Sequence, residues 1–470
     1  MIKRIFTIVI ISFLSLFTVT NALASSVNDQ NTPDAWPESP SIYAEAGIVI
    51  DASTGLILYE KNINEQYYPA SITKIMTALL AIENSSLSDI VTFSRKAIFD
   101  VEAESSRIGI DVGEKLTMQQ CLYAVLLESA NEVSYAVAEH VGGDVENFAK
   151  MMNDKARSLG CLNTNFVNPH GLPDSEHLTS SYDMALITRE AMKYETFRKI
   201  VATRTYTIPP TNIQPESRPM ANHHKFIRKE TYFYDDCIGG KTGYTSKAKY
   251  TLVTIAKRGD LEIISVIMRD DTSEHQYKDT QKLLDYAFDN FSIYPVNVQE
   301  NASIINESPF FTRYNQLLSK SDQPITTDDT GFVVLPNTAT LADAQKDITF
   351  FEAPKVSDEK NIIGSISYSY KGKYVGGTDI IFSNEVTPEL IHKAVKPEAV
   401  EQVPLPSEPE LEKSSGKLRP IIIGVIISFI VLVAGLYFLF VERPRLKRRN
   451  AYNKRRANRK SYQFDDFLDL

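Results

Sequence analysis

The sequence contains few of the residues that build metal sites or disulfide frameworks. It has three cysteines and seven histidines in 470 residues. No histidine pair has the H-E-x-x-H spacing of a helical zinc site, and neither a Walker-type phosphate loop nor a G-x-S-x-G nucleophile elbow occurs. We therefore expect no metal and no cofactor, and the missing elbow argues against an α/β-hydrolase. Three cysteines are too few for a disulfide framework, so we expect mainly buried thiols, with one disulfide left open.

The charges are unevenly distributed along the chain. The formal net charge is −9 at pH 7, yet residues 442–470 are rich in lysine and arginine. The remainder is therefore acidic and offers no basic footprint for nucleic acid. Because the basic tail follows an apolar run, membrane topology and anionic lipid explain it better than a nucleic-acid partner does.

The N-terminus carries an export signal. Residues 1–24 combine Lys3 and Arg4, an apolar run and the small-residue pattern Ala22-Leu23-Ala24. This order of features predicts a signal peptide that is cleaved after Ala24. An uncleaved anchor helix is the alternative, although the apolar run is short for a membrane span.

A second apolar run lies near the C-terminus. Ile421–Phe440 holds no charged residue and is long enough to cross a bilayer, so we predict a transmembrane helix at 420–441. Positive residues remain in the cytoplasm, which places the tail 442–470 inside and the preceding chain outside. The sequence thus predicts a single-pass cell-membrane protein with an extracellular ectodomain, whose C-terminal helix contacts membrane lipid.

Composition divides the chain between these signals into four segments. Residues 25–41 are polar and predict a flexible leader, whereas 387–418 are rich in proline and glutamate and predict an extended linker. Strand signals, a series of helical patterns and further strands predict an α+β domain at 42–292, with an antiparallel sheet flanked by helices. Residues 294–386 include the alternating stretch Gly364–Tyr370 and predict a small β-rich domain.

The α+β segment is expected to contain two pairs of strands around a series of helices. The predicted strands are Gly47–Ile50, Leu56–Tyr59, Thr251–Ala256 and Glu262–Arg269, and the predicted helices are Met118–Glu128, Glu132–His140, Val145–Leu159, Met184–Tyr194 and Lys278–Phe291. The polar residues 257–260 between the last two strands indicate a hairpin turn.

A serine and a lysine stand one helical turn apart in the apolar stretch 69–82. Ser71 and Lys74 share one face of the predicted helix. Burial disfavours the charged form of a lysine, and a neutral amine beside a hydroxyl is a general base for a serine nucleophile. The spacing alone is weak evidence, because a solvated lysine after an N-cap serine gives the same letters.

Two further short motifs follow in the chain. Ser129 and Asn131 stand at the joint between two predicted helices, where a hydroxyl and an amide can point the same way, or where they simply cap the helices. Lys241-Thr242-Gly243 precedes a predicted strand. Lysine suits a carboxylate, threonine donates a hydroxyl, and glycine lets a backbone approach closely. A plain strand is the alternative for this motif.

Together the three motifs resemble those of penicillin-binding proteins and serine β-lactamases. The sequence is most similar in pattern to the serine-type D-alanyl-D-alanine carboxypeptidases, which are low-molecular-mass penicillin-binding proteins. The resemblance also rests on Asp51–Gly55, Asn163–Leu172, Ile238–Thr245 and Lys282–Tyr286. It implies a DD-peptidase/β-lactamase-like fold at 42–292 and an enzyme that acts in cell-wall biogenesis on the peptidoglycan stem peptide.

The resemblance also implies a role for each matched residue. Ser71 attacks the substrate carbonyl, Lys74 takes its proton and Ser129 relays a proton to the leaving D-alanine. Asn131 holds the substrate backbone, while Lys241, Thr242 and Gly243 bind near the terminal carboxylate. The backbone N–H groups of Ser71 and Tyr244 form the oxyanion hole. β-Lactams are expected to acylate Ser71 as covalent inhibitors.

One position departs from the family pattern. Many relatives have an arginine that contacts the substrate carboxylate before the final helix, and this sequence has Gln276 near that place. Lys278 or Arg269 could substitute for it. His170 could lie near the cleft, although a structural role in its loop is the preferred interpretation.

Three other functions remain open from the sequence. A class A β-lactamase needs a glutamate in an E-x-x-L-N pattern, and the corresponding position here is Leu159. A scaffolding ectodomain with a decayed site would not need the complete set of motifs. Endopeptidase activity on crosslinks uses the same chemistry as the carboxypeptidase reaction.

Overall fold

The structure is a computed structural model that describes residues 36–102, 104–229, 231–296, 325–328, 330–357 and 360–382. All described residues belong to one compact unit. The predicted signal peptide, linker, transmembrane helix at 420–441 and tail at 442–470 lie outside them. Within the described ranges, no helix is both long and apolar enough to cross a membrane.

Most described helices of the peptidase region lie between its N-terminal and its C-terminal strands. The helices are α1 (Lys74–Asn84), α2 (Arg95–Phe99), α3 (Met118–Leu127), α4 (Asn131–Gly142), α5 (Val145–Ser158), α6 (Ser181–Ala191), α7 (Glu195–Ala202) and α8 (Ser273–Asn290). The strands are β1 (Ala46–Asp51), β2 (Ile57–Lys61), β3 (Ile90–Thr92), β4 (Lys115–Thr117), β5 (Thr205–Ile208), β6 (Arg218–Ala221), β7 (Cys237–Thr245), β8 (Lys249–Arg258), β9 (Leu261–Asp270), β10 (Phe291–Pro295), β11 (Ile325–Thr327), β12 (Phe332–Pro336), β13 (Gln345–Ser357), β14 (Lys360–Tyr370) and β15 (Lys373–Phe382).

A five-stranded antiparallel sheet joins the two ends of this region in the order β2-β1-β9-β8-β7. Both predicted strand pairs are present, and Arg258 pairs with Leu261 across the two-residue turn Gly259-Asp260. Gly259 has φ +60°, which a tight hairpin requires and glycine adopts without strain. Because α6 and α8 both pack against β9, every residue of that strand except Arg269 is buried.

Helix α1 lies in the centre of the helical layer and contacts α3, α4, α5, α6 and α7. It is buried from Lys74 to Ala81, so it has no polar face to offer solvent. A helix that is apolar on all sides is stable only inside a core, where each large aliphatic side chain gains about 1.5–3 kcal/mol from burial. This position carries the lysine of the first motif into the interior.

The final helix of the peptidase region begins earlier than its apolar pattern predicts. Helix α8 begins at Ser273, five residues before the predicted start, because the Thr272 side chain accepts a hydrogen bond from His275 N and caps it. It ends at Asn290, and Phe291 begins a strand instead of ending the helix. The extra first turn brings Ser273 and Gln276 onto the helix.

The β-rich segment forms a second antiparallel sheet in the order β10-β12-β15-β14-β13, with β11 paired to β15. A hairpin joins β14 and β15, with Lys371 and Gly372 in left-handed conformation at its turn. Strand β10 spans the predicted boundary between 292 and 294 and pairs with β12.

Two other sequence expectations can be compared with the described residues. Cys121, Cys161 and Cys237 are all free thiols, and the first two are buried. The end of the segment expected to be a flexible leader lies against the end of α8 and the start of β10: the Trp36 ring packs on Phe291 of β10, and Tyr286 Oη of α8 donates to Pro37 O.

Candidate active site

The loop before α1 presents Ser71 in a strained turn. Residues Ala70–Thr73 form a short 3-10 helix, and Ala70 has φ +51°, an uncommon conformation for a residue with a side chain. The Thr73 hydroxyl donates to Ala70 O and lies 2.9 Å from His177 Nε2. A Cβ on Gly171 would stand 1.9 Å from Ala70 O, so glycine is required there by the close approach of the two loops.

Lys74 is completely buried and reaches Ser71. Its Nζ donates to Ser71 Oγ over 3.0 Å, to Asn131 Oδ1 over 2.6 Å and to the His170 carbonyl over 2.6 Å. The last contact uses a backbone atom, so no side-chain motif could have indicated it. These bonds direct the amine at the serine hydroxyl.

The environment of Lys74 favours the neutral amine. Burial holds the pKa of Lys74 well below its usual value, and the positive charge of Lys241 lowers it further. The nearby Glu132 acts in the opposite direction. Burial also raises the pKa of the Glu132 carboxyl, so this counter-charge is itself weakened. The lysine is therefore placed and tuned to accept a proton from Ser71.

The second motif lies at the predicted joint between two helices. Helix α3 ends at Leu127 and α4 begins at Asn131, with Ser129 between them at φ +61°. The Ser129 Oγ is buried and has no hydrogen-bond partner among the described residues. Asn131 supports Lys74 through its side-chain oxygen, a contact that the sequence interpretation did not include.

The third motif lies inside strand β7, which directly precedes β8, the predicted strand that follows the motif. Lys241 is buried and its Nζ donates to Thr242 O over 2.9 Å. Burial lowers the pKa of Lys241 to about 7, while Glu128 acts in the opposite direction. A Cβ on Gly243 would stand 2.4 Å from Thr251 Oγ1 and 2.9 Å from Ser71 N. Glycine at this position thus lets β7 approach the serine loop, whereas the sequence interpretation assigned the close approach to the substrate.

One cleft of about 290 Å³ brings the three motifs together. Its lining includes Ser71, Ser129, Thr242, Gly243 and Tyr244. Lys74 and Asn131 reach this cleft through the hydrogen bonds described above, and Lys241 is buried beside Thr242. Tyr244 is 56% exposed, and its ring packs at a tilt of 37° against that of Tyr250, with the ring centroids 4.5 Å apart.

A further part of the cleft lining was not predicted in full. Lys225, Ser273, Gln276 and Tyr277 line it. Gln276 was singled out from the sequence, but Lys225 was not, because it lies in a short 3-10 turn with no recognisable motif. Its contact with α8 is tertiary and leaves no signal in the sequence.

The two proposed substitutes for the missing arginine are not part of the cleft lining. Arg269 Nε donates to Glu45 Oε1 over 2.8 Å, and Lys278 Nζ lies 2.5 Å from Glu274 Oε1. Both charges are paired with carboxylates on exposed surfaces. His170 has a structural role in its loop, since its Nδ1 accepts a hydrogen bond from Leu172 N, although its carbonyl also holds Lys74.

A serine hydroxyl, a buried amine within hydrogen-bond distance and a lined cleft define a class of protein, the serine acyl-transfer enzymes. Residues 33–272 match the model of the S11 peptidases, described as D-alanyl-D-alanine carboxypeptidase. The chain belongs to this family of serine-type D-alanyl-D-alanine carboxypeptidases, and the family and enzyme class predicted from the motifs are confirmed.

Individual relatives agree with this assignment. The D-alanyl-D-alanine carboxypeptidase DacF of Bacillus subtilis is 34% identical over 299 residues, which are 63% of this chain and 73% of that protein. DacA of Haemophilus influenzae is 28% identical over 388 residues, or 80% of this chain and 93% of that protein.

Solved structures share the fold. The Streptomyces K15 DD-transpeptidase is 30% identical, with a TM-score of 0.50 over 54% of this chain and 100% of that chain. Penicillin binding protein 5 from Haemophilus influenzae has a TM-score of 0.57 over 74% of this chain and 98% of that chain. At 24% identity the second likeness concerns the fold alone. The predicted DD-peptidase fold with an antiparallel sheet and helices is confirmed.

Proposed function

We propose that this enzyme removes the terminal D-alanine from peptidoglycan stem pentapeptides through an acyl-enzyme on Ser71. The observation that carries the proposal is the 3.0 Å contact between Lys74 Nζ and Ser71 Oγ in a buried environment that lowers the pKa of the amine. Neutral Lys74 takes the hydroxyl proton while Ser71 Oγ bonds to the carbonyl carbon of the penultimate D-alanine.

The tetrahedral intermediate then loses the terminal residue. The backbone N–H groups of Ser71 and Tyr244 stabilise the oxyanion. The bond between the carbonyl carbon and the D-alanine nitrogen breaks, and a proton from Lys74 passes through Ser129 to that nitrogen. The Ser129 Oγ is buried and has no hydrogen-bond partner among the residues that the structure describes, which supports this relay, because a hydroxyl that lines the cleft can then donate to a substrate. Water hydrolyses the ester and regenerates Ser71.

Substrate binding uses the strand β7 side of the cleft. Lys241 and Thr242 bind the terminal carboxylate, Gly243 keeps the strand close to Ser71, and Asn131 contacts the substrate backbone while it holds Lys74. Lys241 is a cation only below its pKa of about 7, so its contribution as a positive charge depends on pH.

β-Lactams acylate Ser71 by the same attack and are released slowly. Leu159 is an apolar residue packed against the core at the position where class A β-lactamases have a glutamate. It also lies outside the cleft lining, so it cannot activate a water there. We infer covalent inhibition and not rapid β-lactam turnover.

The location of the enzyme follows from the sequence signals outside the described residues. We propose a signal peptide at 1–24, the peptidase domain at 42–292, a β-rich domain at 294–386 and a membrane helix at 420–441. The catalytic ectodomain then faces the cell wall and the basic tail faces the cytoplasm and its anionic lipids.

Two measurements test the proposed reaction. The purified chain is incubated with a pentapeptide that ends in D-Ala-D-Ala, and released D-alanine is quantified. The intact mass after penicillin treatment is then compared between wild type and Ser71→Ala. We expect D-alanine release and a single penicilloyl adduct on Ser71 in the wild type only. Absence of both, or an adduct on another residue, would reject the proposal.

A further inference from the structure

The part of the cleft lined by Lys225, Ser273, Gln276 and Tyr277 needs a positive charge if it is to bind a carboxylate, and Gln276 cannot provide one. Its side chain is almost fully buried, and its Nε2 donates to Ser273 Oγ over 3.3 Å. The Gln276 Oε1 is buried without a partner among the described residues. The amide is thus held against the first turn of α8 and adds no charge to the cleft.

Most other cations near the cleft are already neutralised. Arg269 and Lys278 are paired with glutamates outside the lining. His223 lines the cleft, but its Nε2 is paired with Glu128 Oε2 at 3.0 Å. Lys241 is buried against Thr242 O and has a pKa of about 7.

Lys225 differs from these residues. It is half-buried, it lines the same cleft as Ser71 and Thr242, and no carboxylate of the described residues lies within ion-pair distance of it. Its Nζ donates to Ser273 Oγ over 3.2 Å. The bond to the Ser273 hydroxyl uses only one of the N–H donors of the ammonium group. The other donors and the positive charge are therefore available to a ligand.

The surroundings of Lys225 hold its ammonium group in place. The Nζ lies 5.1 Å from the centroid of the Tyr232 ring and 5.3 Å from that of Tyr277, distances at which a cation is attracted to an aromatic face. Its backbone N also donates to Tyr277 Oη over 3.0 Å. Tyr277 and Ser273 belong to α8, so the lysine is fixed to the helix that carries Gln276.

We propose that Lys225 supplies the cation that binds the terminal carboxylate of the substrate, in the place that relatives give to an arginine at the position of Gln276. The positive charge is carried by the 3-10 turn of Lys225 and not by helix α8, but it lies in the same cleft. This inference rests on the proposed carboxypeptidase reaction, since it concerns the same substrate. It makes Lys225 a specificity-determining residue that recognises a free acid.

The test compares two peptides and three variants of the full-length chain. The peptides end in D-Ala-D-Ala and differ only in a free carboxylate or a C-terminal amide. The variants are Lys225→Gln, Lys225→Arg and the double variant Lys225→Gln/Gln276→Arg. Lys278→Gln is the matched control, because this exposed lysine on α8 pairs with Glu274 outside the cleft.

Loss of the charge should affect one peptide only. Lys225→Gln should lower kcat/KM for the free acid by about 10- to 100-fold, the value of a hydrogen bond to a charged group, mainly through KM. The amide should change by less than about 3-fold, since it carries no charge for Lys225 to bind. Lys225→Arg and Lys278→Gln should stay near wild type. The double variant should recover most of the loss, because arginine restores a cation at the same wall.

Other outcomes would overturn the inference. Equal losses for acid and amide would assign Lys225 a structural role, and an unchanged free acid would show that it does not bind the carboxylate. If the wild type releases neither D-alanine from the free acid nor D-alaninamide from the amide, the proposed reaction fails. In that case, the rates at which penicillin and its methyl ester acylate Ser71 show whether Lys225 distinguishes a free carboxylate from an ester. Failure of Gln276→Arg to rescue would also count against the shared subsite.

Discussion

The two walls of the cleft are built in different ways. On the wall of Ser71, the functional amine is fully buried and held by two hydrogen bonds of 2.6 Å besides the contact to the serine. On the wall of Lys225, the amine is half-buried and its bond to Ser273 is 3.2 Å long. The first wall also contains residues in strained conformation, Ala70 and Ser129.

We relate this difference in burial and hydrogen bonding to two roles, proton transfer on the first wall and substrate recognition on the second. Proton transfer requires one geometry and a lowered pKa, which only a closed and fully bonded environment supplies. A carboxylate can be bound by a cation from more than one direction, so the second wall tolerates a change in which element carries the charge. We expect substitutions on the first wall to abolish the reaction and those on the second to change its selectivity.

The largest effect should follow from a change that keeps the charge and removes the base. Lys74→Arg cannot deprotonate at any working pH, so acylation of Ser71 by penicillin should fall by about 100- to 10,000-fold, the usual contribution of a general base. The rate is measured by intact mass against time. Lys150→Arg, an exposed lysine paired with Asp154, is the control and should leave it unchanged. Acylation of Lys74→Arg at the wild-type rate would remove Lys74 from the mechanism.

The next effect tests how closely β7 approaches the serine loop. A methyl group at Gly243 would meet Thr251 Oγ1 and Ser71 N, so Gly243→Ala should reduce the free energy of unfolding by about 1–3 kcal/mol and slow acylation. Urea unfolding and penicillin acylation are the measurements. Gly372→Ala in the β14–β15 hairpin also strains a left-handed glycine, but its Cβ position has open space and lies outside the cleft lining, so this variant should leave acylation intact. If Gly243→Ala leaves the acylation rate unchanged, the close approach of β7 to the serine loop is not essential for acylation.

A smaller effect follows from the buried charge of Lys241. Its pKa is about 7 in the folded chain and near 10.4 when unfolded, so the unfolded chain binds more protons between these values. The contribution of this group to stability therefore rises with pH in that window, by at most roughly 1.4 kcal/mol per pH unit. Lys241→Met should be more stable than wild type at pH 6, and this advantage should shrink towards pH 9. Urea unfolding at several pH values measures it, and a constant difference would contradict the assignment.

The sequence predicts the first wall better than the second, for a physical reason. The spacing of Ser71 and Lys74 is local, because residues three apart share a helix face whatever the rest of the chain does. The helix joint at Ser129 is also a local signal. Lys225 meets Ser273 only through the packing of a short turn on α8, and the His170 carbonyl is a backbone atom without a sequence signature. Tertiary contacts of this kind leave no pattern in one sequence.

The smallest effect is expected from adding the arginine that relatives have. In the wild-type chain Lys225 already provides a cation, so Gln276→Arg should change kcat/KM for the free acid by less than about 3-fold and leave the Ser71 acylation chemistry unchanged. The same substitution should give a large gain when Lys225 is absent, which makes the two positions non-additive. Kinetics with the free acid and the amide measure both steps of this cycle. A gain above about 10-fold in the wild-type background would mean that the second wall lacks a carboxylate-binding cation before the change.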